Sequence, residues 1–499
     1  MATPSGPPPV TVSAFRGSAV GVTATLIGFL ALVELTSGIL QGYYVPLISD
    51  LVKHLGIRDA DFNWFEAAQL LLSAIVVPVL AKLGDMVGHK RMLLLATVLT
   101  AGASWWLVAA NDFTSFLIAW ALQGFYVVWL PLEIALIFDR GRRTGRAASE
   151  TRRAAGLLVV ALEAGAIIGA LAGGAIFTGL GGNVQVTLMI PAIAVTLVFF
   201  AVLFGVPEST PMPGKRTLDF GGFTMLTIGL LLITSGLTFL RLNGPETWWV
   251  WALIALGVLT FLPFGLYELR QPDPAIDLRV LRQPNMWPVQ LTAGLVGISL
   301  LGAQAPLSTF AGTDPVNGYG LGLSAGSRSI LIGVYLLSMI VGAILFPIVS
   351  RALSPRVTLI GATFLVALGY ALFLPFHAET WQVFVNMFIA GVGSGALVGA
   401  MPAAAAAAAP QGQTGIAAAL TNTTKTIGGS FASAIFAVVL FQGASTAVTS
   451  TASSLSGYLV VWSICAGGAL VAGVLLFFVP KLAFADETAP VVAEQRLTP

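Results

Sequence analysis

Apolar runs of about 20 residues recur from Ala19 almost to the end of this 499-residue chain, and each is long enough to cross the ~30 Å of hydrocarbon in a bilayer. Backbone N–H and C=O groups in lipid have no water to bond, so repeated runs of that length dictate a bundle of spanning helices. Cutting the runs at charges, prolines and glycine clusters predicts fourteen spans: 19–42, 62–82, 92–110, 113–138, 154–180, 184–206, 220–240, 247–268, 286–311, 328–350, 356–376, 380–404, 414–441 and 457–479. Charged residues make up only 9% of the chain, whereas a soluble domain carries about a quarter. Disorder and collagen are excluded, and a net charge of +2 gives no basis for nucleic-acid binding. A single cysteine, Cys465, allows no disulfide or multi-thiolate site. His54, His89 and His377 lack metal-ligand spacing, and no phosphate-binding loop is present. No metal and no cofactor is therefore expected.

Lys and Arg in short loops are held on the cytoplasmic face. With the N-terminus inside, nineteen of the 24 basic residues fall on that face, Lys53, Arg58, Arg241, Arg328 and Lys425 being the others. Both termini are thus expected in the cytoplasm of a multi-pass cell-membrane protein. Pro- and charge-rich stretches at 207–219 and 269–285 mark boundaries. The expected organisation is a flexible tail 1–18, a six-helix bundle 19–206, a linker with two extra transmembrane helices 207–285, a second six-helix bundle 286–479 and a flexible tail 480–499. A weak internal repeat supports two halves, since the loop from Lys82 has a basic counterpart from Ser350.

Between spans 2 and 3 runs Ala81-Lys-Leu-Gly84-Asp85-Met-Val-Gly88-His89-Lys90-Arg91, where glycines permit a tight reversal and Asp85 can cap a helix end or pair with a cation. Span 5 carries Gly165, Gly169 and Gly173 at i, i+4 and i+8, followed by Gly174, a stripe that lets another helix approach closely. The first stretch resembles the loop signature of the major facilitator superfamily. Asp85, Gly88, Lys90 and Arg91 match it, with Ala81 and His89 departing. The second is similar to the antiporter motif of exporters in that superfamily, with Ala170 in place of proline. Trp120-Ala-Leu-Gln123-Gly124 resembles a further element in which Trp120 replaces an arginine. Val33-Glu34-Leu35-Thr36 resembles an acidic segment, and Thr421 to Gly429 a polar one, of the fourteen-span drug:proton antiporter branch.

The resemblance implies an all-α membrane protein of two six-helix bundles plus an extra pair, with a cytoplasmic gating latch centred on Asp85 and joined by Asp139. It implies outward movement of amphiphilic small molecules in exchange for protons by alternating access. No enzyme chemistry is expected, and the expected partners are the lipid bilayer, a small-molecule substrate and protons, with the chain acting as a monomer. Export of one endogenous metabolite or lipid, nutrient symport, and a membrane enzyme or receptor on a transporter scaffold remain open alternatives.

Ionisable groups inside spans cost roughly 2.5 to 3.5 kcal/mol each at the bilayer centre, so those present point to function. Glu34, Glu133 and Glu163 are the candidates for proton coupling. Glu34 leads them, because it forms a stripe with Gly38 and Gln41 and a carboxyl group in an apolar cavity can exchange protons near neutrality. Lys425 is the buried base, expected to be neutralised by one of the three acids; three acids against one base favour cations. The candidate cavity lining adds Gln41, Trp120, Gln123, Tyr126, Trp129, Gln304 and Asn386, beside Trp64, Glu66 and Gln69. Tyr43, Tyr44, Trp248, Trp249 and Trp251 are read as interface anchors.

Overall fold

A computed structural model describes residues 23–143, 147–207, 218–272, 274–284, 286–408, 414–442 and 451–478; the two tails and most of the 207–219 linker lie outside them. Among the described residues fourteen helices are long and apolar enough to cross a membrane. Spans 1 to 7 are Ala24–Leu55, Asp59–Val87, His89–Ala109, Phe113–Gly141, Ala154–Gly179, Val184–Gly205 and Phe220–Leu240. Spans 8 to 14 are Trp248–Glu268, Trp287–Gly312, Ala325–Leu353, Pro355–Leu372, Thr380–Pro402, Leu420–Gln442 and Leu455–Leu476. Seven of the helices begin where a polar side chain can take up an orphan amide: Thr23, Asp112, Asn183, Asp219, Ser324, Ser354 and Ser454 each accept a bond from the first turn.

Span 1 runs thirteen residues past its expected end at 42, to Leu55. Pro46, Ser49 and Asp50 read as an exit from lipid, yet the chain makes one tight turn over Val45–Leu47 and continues as helix to Leu55. The extension is held because Asp50 meets Arg328 of span 10. Tyr43 and Tyr44 consequently lie inside the protein, 1% and 4% exposed, and not at an interface as the sequence suggests. The Tyr43 hydroxyl donates to the Thr187 carbonyl at 2.9 Å. Trp248, Trp249 and Trp251 do stand exposed on span 8.

Spans 1–6 pack on one another, as do spans 9–14. Two lines of contact join these groups, span 2 against span 13 and span 5 against span 10. The extra pair, spans 7 and 8, lies along the first line. Leu226 and Leu230 of span 7 and Phe264 of span 8 share an apolar cluster with Leu71 of span 2 and with Ile427 and Phe431 of span 13.

The two groups repeat one another in backbone detail. Spans 2 and 3 are joined by the single residue Gly88 at φ +120°, and spans 10 and 11 by Ser354 at φ +112°, the one non-glycine with positive φ among the described residues. Sequence similarity around Lys82 and Ser350 thus corresponds to the same one-residue reversal.

Candidate functional site

Helix packing around spans 1 and 5 sets the site. A methyl group on Gly38 would sit 1.9 Å from the Leu162 carbonyl oxygen, and one on Gly42 2.0 Å from that of Ala166. From the other side, Gly165 approaches the carbonyl of Leu35, Gly169 that of Ile39 and Gly173 that of Tyr43, at 2.0, 2.7 and 2.3 Å for an added carbon. Backbone therefore rests on backbone, the arrangement small residues permit in membranes. Gly174 faces elsewhere, against Ala325 and Ser329 of span 10, and its N–H donates to Ser329 Oγ at 3.0 Å.

With one face of span 1 pinned this way, Glu34 turns inward. Glu34 and Glu133 of span 4 are both 0% exposed, and none of their four carboxyl oxygens has a hydrogen-bond partner. The charge of Glu34 bears directly on Glu133 and on Tyr126. Glu66 of span 2, 8% exposed, bears on Tyr126 as well. Burying a charge unpaired costs far more than burying a hydrogen-bonded one, so packing alone does not account for two such acids.

Around them, Gln123 donates to the Tyr44 hydroxyl at 2.9 Å and to Ser104 Oγ at 3.1 Å. Trp120, proposed from sequence as a lining residue, is 2% exposed and packed among Tyr44, Phe62 and Phe116 with ring centroids 5.1, 5.1 and 5.6 Å away. Where the resemblance implies a cation stands an indole enclosed by aromatic neighbours. Trp129 is wholly buried beside Tyr126.

The remaining candidates do not join this cluster through any described bond. Gln41 is exposed on span 1. Gln304 bonds the Leu300 carbonyl at 3.1 Å, and Asn386 the Phe376 carbonyl at 2.7 Å, so both side-chain amides are engaged by backbone. Glu163 and Lys425 are partly buried, and each lies in the field of the other across the line between the two helix groups.

At the end marked by Asp85, His89 Nε2 lies 3.1 Å from the Asp85 carboxylate and Lys90 donates to the Leu203 carbonyl at 2.9 Å, while Asp139 of span 4 is buried. Arg91 is exposed. The opposite end is closed by a lock that hydropathy does not reveal. Arg328, 2% exposed, pairs with Asp50 and donates through Nε to the Pro46 carbonyl at 2.8 Å. Ser49 bonds the Ser308 carbonyl at 3.1 Å. The Asp59 amide bonds the Thr451 carbonyl at 3.0 Å, and Tyr458 reaches the Asp59 carboxylate at 3.5 Å. Every one of these bonds links the first helix group to the second.

Gln290 is a further residue that a search for charges passes over. Glu34-Leu-Thr-Ser-Gly38 of span 1 is echoed in sequence by Gln290-Leu-Thr-Ala-Gly294 of span 9, with an amide in place of the acid, although in the packing it is Gly297 that approaches span 13 as Gly38 approaches span 5. Gln290 bonds Thr421 Oγ1 at 3.1 Å.

Comparison with known proteins accords with this architecture. Residues 30–433 match the profile of the Major Facilitator Superfamily. The chain is 26% identical to the puromycin resistance protein pur8 of Streptomyces alboniger over 90% of both chains. It is also 26% identical to a probable actinorhodin transporter of Streptomyces coelicolor over 88% of this chain and 74% of that one. The solved nucleoside transporter NupG superposes with a TM-score of 0.62 at 12% identity, covering 91% of this chain and 98% of that one. Fourteen spans, two repeated helix groups and the matched profile together place the chain in the Major Facilitator Superfamily, as a membrane transporter and not an enzyme.

Proposed function

We propose that this transporter exports amphiphilic small molecules across the cell membrane in exchange for protons, by alternating access and as a monomer. Residues 19–206 and 286–479 are the two moving bundles, with 207–285 as linker and extra pair. The observation that carries the reading is the pair Glu34 and Glu133, buried together with four carboxyl oxygens that no group bonds. Two buried carboxyl groups that feel one another's charge cannot both ionise at low cost. A proton arriving there removes a charge and a departing proton restores it, which gives the bundle two states with different internal repulsion.

With the N-terminus cytoplasmic, the Asp50–Arg328 end faces outward and is the closed end, and the Asp85 loop faces the cytoplasm. The Asp85, Gly88, Lys90, Arg91 and Asp139 set is the inner gate, and the glycine stripe of span 5 holds that helix to span 1 within the first bundle while Gly174 alone faces span 10 of the second. Substrate loads from the inside. One charge crossing 100 mV contributes about 2.3 kcal/mol, enough for roughly a fiftyfold gradient. The two antibiotic-related relatives support export over uptake.

Reconstituted protein under an imposed pH gradient tests this. Glu34→Gln and Glu133→Gln are each expected to lower gradient-driven flux by at least about tenfold, while downhill exchange of substrate persists. Unchanged gradient-driven flux in both variants removes the pair from the mechanism, and accumulation with the proton flow makes the chain a symporter. Reporters fused after residues 213 and 276 are expected on the cytoplasmic side; an external position for either overturns the orientation.

A further inference from the structure

Two carboxyl groups at the Asp85 end of the extra helix pair stand in an arrangement that packing does not explain. Asp219 precedes span 7 and Glu268 is the last residue of span 8; they are 7% and 0% exposed. Each is fixed through one oxygen. Asp219 Oδ1 accepts from the Gly222 amide at 2.9 Å, capping span 7, and Glu268 Oε2 accepts from the Ile276 amide at 3.4 Å, in the linker that leads on to span 9. The other two oxygens, Asp219 Oδ2 and Glu268 Oε1, are buried and have no hydrogen-bond partner. Both lie over the bare α-carbon of Gly222. A methyl carbon there would be 2.7 Å from the first and 2.0 Å from the second, so the two oxygens are no further apart than the sum of those distances.

Buried carboxylates that face one another repel, and both ionise only at high cost. One proton between them reverses the interaction, because a carboxyl O–H donating to a carboxylate is among the strong hydrogen bonds, and it satisfies both orphaned oxygens at once. The neighbouring ionisable groups among the described residues are few. Lys82, at the end of span 2 and three positions before Asp85, bears on Glu268 as Asp219 does. The Tyr267 hydroxyl of span 8 lies against Gly221, 2.4 Å from where an added carbon would stand, and faces Asp219. In the linker, Asp277 and Arg279 pair with one another at 3.3 Å. Span 13, whose Leu420 and Ile427 share the linker's apolar cluster, has Lys425 as its one ionisable residue, and the field in which that residue lies is that of Glu163.

We propose that Asp219 and Glu268 hold a single proton between Oδ2 and Oε1, and that this proton closes a pH-sensitive clasp fastening the linker after span 8 to the extra helix pair. With the proton in place, Glu268 keeps hold of Ile276, and Ile276, Leu278 and Leu281 stay down on the apolar cluster of spans 2, 7, 8 and 13. Loss of the proton leaves two like charges across Gly222, and the carboxyl groups part. Glu268 is also the anchor of the linker, so its displacement frees Ile276. The clasped arrangement binds a proton that the open one does not, so rising pH on the Asp85 side favours release. The linker is the covalent tie to span 9, and its release loosens the second bundle from the extra pair. This device is separate from the Glu34 and Glu133 pair and is independent of the direction of transport.

Alkylation of Ile276→Cys, in a background of Cys465→Ser, reads the clasp in the purified full-length protein in detergent. Its rate is divided by that of Val316→Cys in the same background, a position 91% exposed, which removes the titration of the thiol itself. The ratio is expected to rise about tenfold or more between about pH 6 and about pH 9. Glu268→Gln and Asp219→Asn each replace one carboxyl group by an amide whose N–H donates to the oxygen opposite at any pH, and each is expected to keep the ratio low and flat. Glu268→Ala, with neither donor nor anchor, is expected to keep it high and flat. A ratio that does not change with pH in the background protein overturns the proposal, as does a pH dependence that survives Glu268→Gln. An alkaline rise that added magnesium suppresses would put a metal ion between the two oxygens and overturn it as well. Flux enters none of these readings, so a failure of the export reading leaves the clasp standing.

Discussion

Single residues in this protein carry loads that their type alone does not announce. Ser354 holds φ +112° and ψ 150°, a region natural to glycine and costing other residues about 1 to 3 kcal/mol. Its side chain returns part of that by capping span 11 at the Val357 amide, although glycine in a cap position loses only a few tenths of a kcal/mol. Ser354→Gly is therefore expected to stabilise the protein by about 1 kcal/mol, read as a higher melting temperature in detergent. A lower melting temperature would mean that the cap outweighs the strain, and no change that the two cancel. Glu34 and Glu133 were legible as isolated buried acids; their coupling was not, since 99 positions separate them along the chain and hydropathy says nothing of which faces meet. Tyr43 and Tyr44 were misread for a related reason. Aromatics at the end of an apolar run resemble an interface belt, and only the continuation of span 1 past Pro46 shows that the run does not end there.

At the level of helices, lipid made the sequence unusually readable. Every span needs about 20 apolar residues, so all fourteen could be found from composition, with ends set by caps and by charge. The glycine stripe of span 5 also announced a close approach, but not its partner, which the reciprocal glycines of span 1 supply. Gly165→Ala would force a methyl to within 2.0 Å of the Leu35 carbonyl, whereas Gly102→Ala on span 3 meets nothing within 4 Å. The first is expected to cost about 1 to 3 kcal/mol as overpacking, and the second is expected to leave stability unchanged or slightly raised, the helix propensity of alanine being better. Equal melting temperatures for the two variants would show that spans 1 and 5 are not packed as described. Span 9 hid its likeness to span 1 because Gln290 is uncharged; a comparison of Glu34-Leu-Thr-Ser-Gly38 with the second half, position by position, exposes it.

For the whole molecule, the lock at the Asp50 end decides which way it stands closed. Arg328 reaches Asp50 and the Pro46 carbonyl across 278 and 282 positions of sequence, a pairing no local pattern encodes. Removing one partner of a buried ion pair costs roughly 3 to 5 kcal/mol, and here that loss falls on the closed arrangement of the two halves. Asp50→Asn is expected to raise the alkylation rate of a cysteine placed at Ser329, in a background of Cys465→Ser, by about tenfold or more. An unaltered rate would show that the remaining bonds, those of Ser49, Ser308 and Asp59, suffice to keep this end shut. The placement of spans 7 and 8 has a mechanical consequence of its own. They adhere to spans 2 and 13 together through leucine, isoleucine and phenylalanine, while on the opposite flank spans 5 and 10 meet directly, Gly174 against Ala325 and Ser329 and Leu171 against Gly333. One flank of the molecule is upholstered and the other is not, so a swing of the halves shears apolar side chains past an added pair of helices on the first side and acts only on the direct contact of two helices on the second.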